Sequence, residues 1–243
     1  MRPLIVANWK MYKTAGEAVL FLDRWNRLPH PADREVAFFP TFTLLHGVSE
    51  ALPRGQALGA QDCHEREEGA FTGEVSCRQI KDAGCRYVLV GHSERRHVFG
   101  ETDLRIAAKF AAALAHDLRP VLCVGETLTQ RESGSTLEVV LTQLEMGLGG
   151  EVPEKGFDVA YEPVWAIGTG KVAQPEDARE VHGEILTWLR TRKRGVDCRV
   201  LYGGSVKPDN AAALMATTGV HGLLVGGASL DPDSFYAIVA AGC

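Results

Sequence analysis

The sequence predicts an α/β chain closed into a single (β/α)8 barrel domain over residues 1–243, and three observations carry that prediction. Eight short apolar runs alternate with helix-length amphipathic segments from one end of the chain to the other. Spread over 243 residues, eight runs give units of about 30 residues, the length of one βαβ unit. No low-complexity linker or shift in composition divides the chain, and 45% hydrophobic against 23% charged residues is the balance of a globular protein. An open doubly wound sheet is the alternative reading of the same alternation.

The apolar runs, in order, are Leu4–Trp9, Glu35–Phe39, Ala57–Ala60, Tyr87–Val90, Pro120–Val124, Phe157–Tyr161, Arg199–Tyr202 and Gly222–Val225. Several are apolar on successive residues, as expected of parallel strands covered on both faces. Two intervening helices are legible in detail. Over Asp103–Leu118, Leu104, Ala107, Ala108, Ala111, Leu114, Ala115 and Leu118 recur at three- and four-residue spacing. Over Pro175–Arg194, Ala178, Val181, Ile185, Trp188 and Leu189 do the same. Pro175 suits the first turn of that helix and Gly195 its end.

Charge and cysteine usage exclude several classes of function. With 26 Lys and Arg against 31 Asp and Glu, the formal net charge is −5. That argues against a nucleic-acid or anionic-membrane binder, so an anionic ligand must be captured by local features. The six cysteines, Cys63, Cys77, Cys85, Cys123, Cys198 and Cys243, form no C-x-x-C pair. They fit neither a zinc site nor a disulfide framework, and the expectation is a reduced, cytoplasmic protein. The uncharged stretch Asn210–Leu230 is broken by Thr217, Thr218, His221 and glycines, so it reads as helix, turn and buried strand, with no membrane span. No histidine shows metal-ligand spacing, and no metal is expected.

In a barrel of this kind, residues at the carboxyl ends of the strands face the active site. Those positions hold Asn8 and Lys10, Gln61 and Asp62, His92, Ser93 and Glu94, Cys123, Glu162, and two glycine-rich turns. The turns, Gly203-Gly204-Ser205 and Gly226-Gly227-Ala228, lie between a strand and a helix start, where backbone N–H groups can cradle a phosphate. Glu162 precedes Pro163, and desolvation in a pocket is expected to raise its pKa and suit it as a base on a carbon acid. His92 opens a helical turn whose dipole disfavours imidazolium, so a neutral ring could act as an electrophile. The segment Pro163–Lys171 is apolar in the middle and places Trp165 and Ile167 in a loop, which a lid closing over the ligand would explain. Together, a cation, an imidazole, a carboxylate and two anion cradles suit proton abstraction next to a phosphorylated carbonyl. A non-catalytic phosphate-binding barrel and a Schiff-base aldolase remain as alternatives.

These segments resemble the triosephosphate isomerase family. The resemblance rests on Ala160-Tyr161-Glu162-Pro163-Val164-Trp165-Ala166-Ile167-Gly168-Thr169-Gly170-Lys171, on Asn8-Trp9-Lys10, and on Gly91-His92-Ser93-Glu94-Arg95-Arg96. Tyr202-Gly203-Gly204-Ser205-Val206 and Val225-Gly226-Gly227-Ala228-Ser229-Leu230 agree in content and order, and coverage runs from about residue 4 to 240. The resemblance implies a TIM barrel and a cofactor-free isomerase of triose phosphates, serving glycolysis and gluconeogenesis. It implies Glu162 as the base and neutral His92 as electrophile and proton shuttle, a pairing known for this family. Lys10 would stabilise negative charge, Asn8 would position substrate, and Glu94 would support Lys10. Backbone N–H groups of Gly168, Ser205, Gly226 and Gly227 would hold the phosphate, and residues 163–171 would form the lid.

The resemblance also implies a homodimer in which loop 64–74 inserts beside the neighbouring active site, with Thr72 reaching the partner's Asn8 and Lys10 region. Two residues depart from the family pattern: Asp62 stands where Asn is more usual, and Tyr12 where a smaller polar residue is. Glu65, Arg66, Glu67 and Glu68 load the docking loop with charge.

Overall fold

The computed structural model describes residues 1–167 and 175–242. Eight parallel strands form a closed barrel in chain order: β1 (Leu4–Asn8), β2 (Glu35–Phe39), β3 (Ala57–Ala60), β4 (Tyr87–Val90), β5 (Arg119–Val124), β6 (Phe157–Tyr161), β7 (Cys198–Tyr202) and β8 (Gly222–Val225). β1 pairs with both β2 and β8, so Ile5 stands beside Val36 on one side and Leu223 on the other. Closure leaves the sheet without an edge and rules out the open doubly wound alternative.

The strand residues divide by alternation even though both faces are apolar. Leu4, Val6, Ala37, Phe39, Ala57, Tyr87, Leu89, Val121, Cys123, Ala160, Leu201 and Leu224 pack together inside the barrel. Their neighbours in sequence, such as Ile5, Val36, Phe38, Val88, Leu122, Val159 and Val200, form the outer core with the helices. Phe38 meets Trp9, Phe21, Trp25 and Phe235 edge-on at ring-centroid distances of 5.3 to 5.9 Å. Each such large side chain stabilises the fold by about 1.5–3 kcal/mol through burial alone.

The helix predicted over Asp103–Leu118 runs from Asp103 to Ala115, capped by the Thr102 hydroxyl, which accepts from the Arg105 N–H. It ends early because Asp117 takes a left-handed conformation (φ 53°) and the Leu118 N–H returns to the Ala113 carbonyl. The helix predicted over Pro175–Arg194 runs from Pro175 to Arg192. Two of the connections hold two helices: Ser93–His97, the turn expected after His92, and Asp103–Ala115 after β4, and Leu128–Glu132 and Thr136–Gly147 after β5. Among the described residues, no helix is long and apolar enough to cross a membrane.

At the amino-terminal end of the strands the barrel is floored by ions. Arg199 bonds Glu35 Oε2 and Asp158 Oδ2 at 2.8 Å each and the Tyr87 hydroxyl at 2.9 Å. Tyr87 in turn donates to Glu35 Oε1 (2.6 Å), and Arg119 reaches Asp158 from the rim. Every charge on this floor faces an opposite one, which is the condition for tolerating buried ions. Replacing Arg199 by Met takes the cation from between Glu35 and Asp158: Asp158 keeps Arg119, and Glu35 keeps Arg86 and Tyr87 on Oε1 but loses the Arg199 contact on Oε2. We expect a loss of about 3–5 kcal/mol in urea unfolding. A loss below about 1 kcal/mol would mean that the floor is solvated.

Candidate active site

At the opposite end, period-two alternation along β6 places Asp158 on the floor, Ala160 in the middle layer and Glu162 at the rim. Glu162 is 2% exposed. Its Oε1 lies 2.9 Å from Nε2 of His92, and its Oε2 accepts the Ser93 N–H at 2.9 Å. His92 is itself buried and forms the N-cap of the short helix Ser93–His97, with Nδ1 accepting the Glu94 N–H at 3.3 Å. An occupied Nδ1 acceptor leaves Nε2 as the protonated nitrogen of a neutral ring, aimed at the Glu162 carboxylate. The Asn8 amide nitrogen stands 3.3 Å from the same Nε2.

Lys10 enters from the end of β1 in a left-handed conformation (φ 49°), uncommon for a side chain of its size. Such strain persists only where its surroundings hold it, and they do so from three directions. The Lys10 N–H donates to Asn8 Oδ1 (3.0 Å), and Gln61 Nε2 donates to the Lys10 and Phe39 carbonyls (2.8 Å each). Lys10 Nζ then pairs with Glu94 Oε1 at 2.6 Å. The structure thus brings Asn8, Lys10, His92, Glu94 and Glu162 together.

Asn8, Lys10, His92 and Glu162 open onto a cavity of about 400 Å³ whose far wall is Gly203, Gly204, Ser205, Gly226 and Gly227. The first two glycines also have an internal reason. A Cβ on Gly203 would stand 2.9 Å from Glu162 Cγ, and one on Gly204 would collide with the Tyr202 hydroxyl. Around Gly227 a Cβ would meet nothing within 4 Å, so there the backbone is open to the cavity. Ser229 closes the second turn by donating from its N–H and hydroxyl to the Gly226 carbonyl at 2.8 and 2.7 Å. Tyr12 and Lys207 also line the cavity. Lys207 had escaped the sequence reading, although its place two residues beyond Ser205 is the signal that could have found it.

Three expectations change. Burial does push the Glu162 carboxyl up, but His92, the Ser93 N–H and Lys10 outweigh it, so the pKa lies below the ordinary carboxylate value. Burial pushes the His92 imidazole down, but the Glu162 carboxylate beside it reverses the direction, so the pKa is raised. Glu162, with Glu94 beyond it, thus overrides what the amide dipoles of the five-residue helix would favour. Trp165, expected in an exposed loop, is half-buried: its indole donates to Glu126 Oε1 (2.8 Å) under the Arg131 guanidinium. Of the expected lid, 163–167 form a short 3-10 turn at Val164–Ala166. The rest, with Gly168, lies outside the described residues.

Comparison with known proteins gives one consistent family. A family model described as triosephosphate isomerase matches residues 3–242. The triosephosphate isomerase of Aquifex aeolicus is 49% identical over 98% of this chain and 99% of its own. That of Nitratidesulfovibrio vulgaris is 49% identical over 99% and 100%. That of a Roseiflexus species is 50% identical over 98% and 96%.

A lowered pKa keeps Glu162 ionised throughout the neutral range. In protein labelled with 13C at the glutamate carboxyl, the Glu162 resonance should hold its ionised shift from pH 9 down to about 5, above the ordinary carboxylate value. A titration midpoint near 6 in the free protein would show that desolvation wins instead.

Proposed function

The chain belongs to the triosephosphate isomerase family, and from that premise we propose that Glu162 and His92 are the groups that carry its reaction. The reaction interconverts dihydroxyacetone phosphate and glyceraldehyde 3-phosphate, and the non-catalytic and aldolase alternatives fall with that assignment. The observation that carries the residue reading is the 2.9 Å approach of Glu162 Oε1 to His92 Nε2 at the edge of a cavity ending in two glycine turns.

The Glu162 carboxylate takes a proton from the hydroxymethyl carbon of dihydroxyacetone phosphate. The bonding pair released becomes the carbon–carbon double bond of an enediolate, and the carbonyl oxygen takes up the charge. His92 Nε2–H donates to that oxygen and moves hydroxyl protons between the two oxygens. Glu162 then returns its proton to the neighbouring carbon, completing the aldehyde. Once substrate separates Glu162 from His92, the charge that raises the imidazole pKa is gone, and the ring stays neutral as the electrophile requires. Lys10 stabilises the developing charge, Glu94 holds Lys10, and Asn8 positions substrate. Backbone N–H groups of Ser205, Gly226 and Gly227, with Gly168 from the lid 163–171, hold the phosphate and limit its loss from the enediolate.

The working unit in this reading is a cytoplasmic homodimer. Five free cysteines are buried, in keeping with a reducing compartment. Met11 is 91% exposed beside the cavity, and Tyr12, Phe71, Val98 and Phe99 expose further apolar surface. A second copy whose loop 64–74 docks there, Thr72 first, would cover them. Loop 64–74 also flanks a hollow of about 730 Å³ lined by His64, Phe71 and Glu74.

In a coupled assay, Glu162→Gln should lose about three or more orders of magnitude in kcat, since it removes the base that acts on the reacting carbon. A near-normal rate would overturn the residue assignment. Sedimentation equilibrium should give twice the chain mass. Shortening loop 64–74 should give a monomer with reduced kcat; full activity in a monomer would dismiss the docking role.

A further inference from the structure

Arg96 lies in the helix Ser93–His97 on the side away from the cavity, and nothing in the reaction described so far uses it. Its side chain is only 8% exposed. The guanidinium makes three contacts with three different segments. Nε donates to the Gly91 carbonyl at 2.8 Å, Nη2 to the Cys123 carbonyl at 3.1 Å, and Nη1 pairs with Asp103 Oδ1 at 2.5 Å.

Two of those acceptors have a particular place in the sheet. The β4–β5 ladder ends with Val90 beside Leu122. Gly91 and Cys123 are the next residues on each strand, and Gly91 has already left the ladder in a left-handed conformation (φ 71°). Arg96 spans both carbonyls, so a side chain continues the strand pairing for one step beyond the backbone. The contact is also tight, because a Cβ on Gly91 would stand 3.0 Å from Ile106 Cδ1 and 3.1 Å from Arg96 Nη2.

We propose that Arg96 is a positioning residue for the isomerisation: its planar fork fixes the turn that carries His92 and Ser93 against the end of β5. The inference rests on the reading of His92 and Glu162 as the reacting groups. His92 follows Gly91 directly, and the Ser93 N–H holds Glu162 Oε2. On the other side, the Glu162 N–H donates to the Val124 carbonyl (2.8 Å), one residue past Cys123. One guanidinium therefore sets the separation between the two segments that deliver the imidazole and the carboxylate. A rigid fork with donors at fixed angles in one plane does this, whereas an ammonium on a flexible stem offers three rotatable donors with no fixed plane.

The test compares two single variants, one on each side of the Arg96–Asp103 ion pair. Arg96→Lys keeps the charge and loses the fork; Asp103→Asn removes the acid and keeps both carbonyl contacts. Misplacing a reacting group by about 1 Å costs on the order of 100-fold, so Arg96→Lys should lose about 10- to 100-fold in kcat with KM changed by no more than about threefold. Asp103→Asn should keep kcat within about twofold, whatever it does to the thermal midpoint. Guanidinium ion added to Arg96→Ala should raise kcat saturably and leave Asp103→Asn unchanged. If Arg96→Ala does not fold, the comparison of the other two decides alone. Equal losses in both, or wild-type kcat in Arg96→Lys, would overturn the proposal. Glu162→Gln, assayed alongside, separates the failures. An inactive Glu162→Gln with an unimpaired Arg96→Lys sinks only this inference, while an active Glu162→Gln sinks the reading of the site.

Discussion

Closing eight strands on one another forces every second side chain into a single lumen, and that lumen has room for a middle layer of apolar groups with polar groups only at its two ends. β6 displays the arrangement along one strand. Asp158 is consumed by Arg199 and Arg119 on the floor, Ala160 packs in the middle, and Glu162 emerges at the rim. A carboxylate held this way is only 2% exposed. Its charge is met instead by an imidazole delivered from β4, a backbone N–H, and Lys10 from β1. Gly203, the residue after β7, leaves the space that the Glu162 side chain needs.

The same closure reconciles an acidic protein with a dianionic substrate. The net charge is −5, and on the floor and beside Lys109 the buried carboxylates Glu35, Asp158 and Glu101 each face a cation. At the carboxyl ends of the strands the balance reverses, because Lys10, Lys207 and the glycine-turn amides border one cavity. Glu94 stands behind Lys10 at that border, and Glu162 is the one acid among the described residues that line it. The first is tied to Lys10 and the second to His92. Local placement of a few groups against low-dielectric walls outweighs the long-range field of the whole chain.

The strands were legible because parallel strands covered on both faces write continuous apolar runs, and all eight fall within one residue of their predicted bounds. Where helices end was less so: Asp117 stops a helix by its backbone conformation, which periodicity does not encode. The residues that meet at the candidate site could be named from strand ends, but their electrostatics could not. The direction of the Glu162 pKa depends on a histidine 70 positions earlier in the chain, and desolvation considered alone gives the wrong sign. Trp165 was misread for the same reason, since Glu126 and Arg131, which bury it, lie on another connection. Gln61 stood at a strand end with no role visible until the left-handed Lys10 appeared beside it. What escaped the sequence reading was in each case a contact between distant segments.

The central claim is that one carboxylate, fixed on one side of the cavity, moves a proton between adjacent carbons. Turning over glyceraldehyde 3-phosphate in deuterium oxide and locating the label by proton NMR tests this directly. A single base that exchanges with solvent while the enediolate waits should place one deuterium on the hydroxymethyl carbon of dihydroxyacetone phosphate, in one stereochemical position only. Complete retention of the substrate's own hydrogen under all conditions would indicate a hydride shift, and deuterium in both positions would indicate an unguided enediolate. Either result would contradict the account.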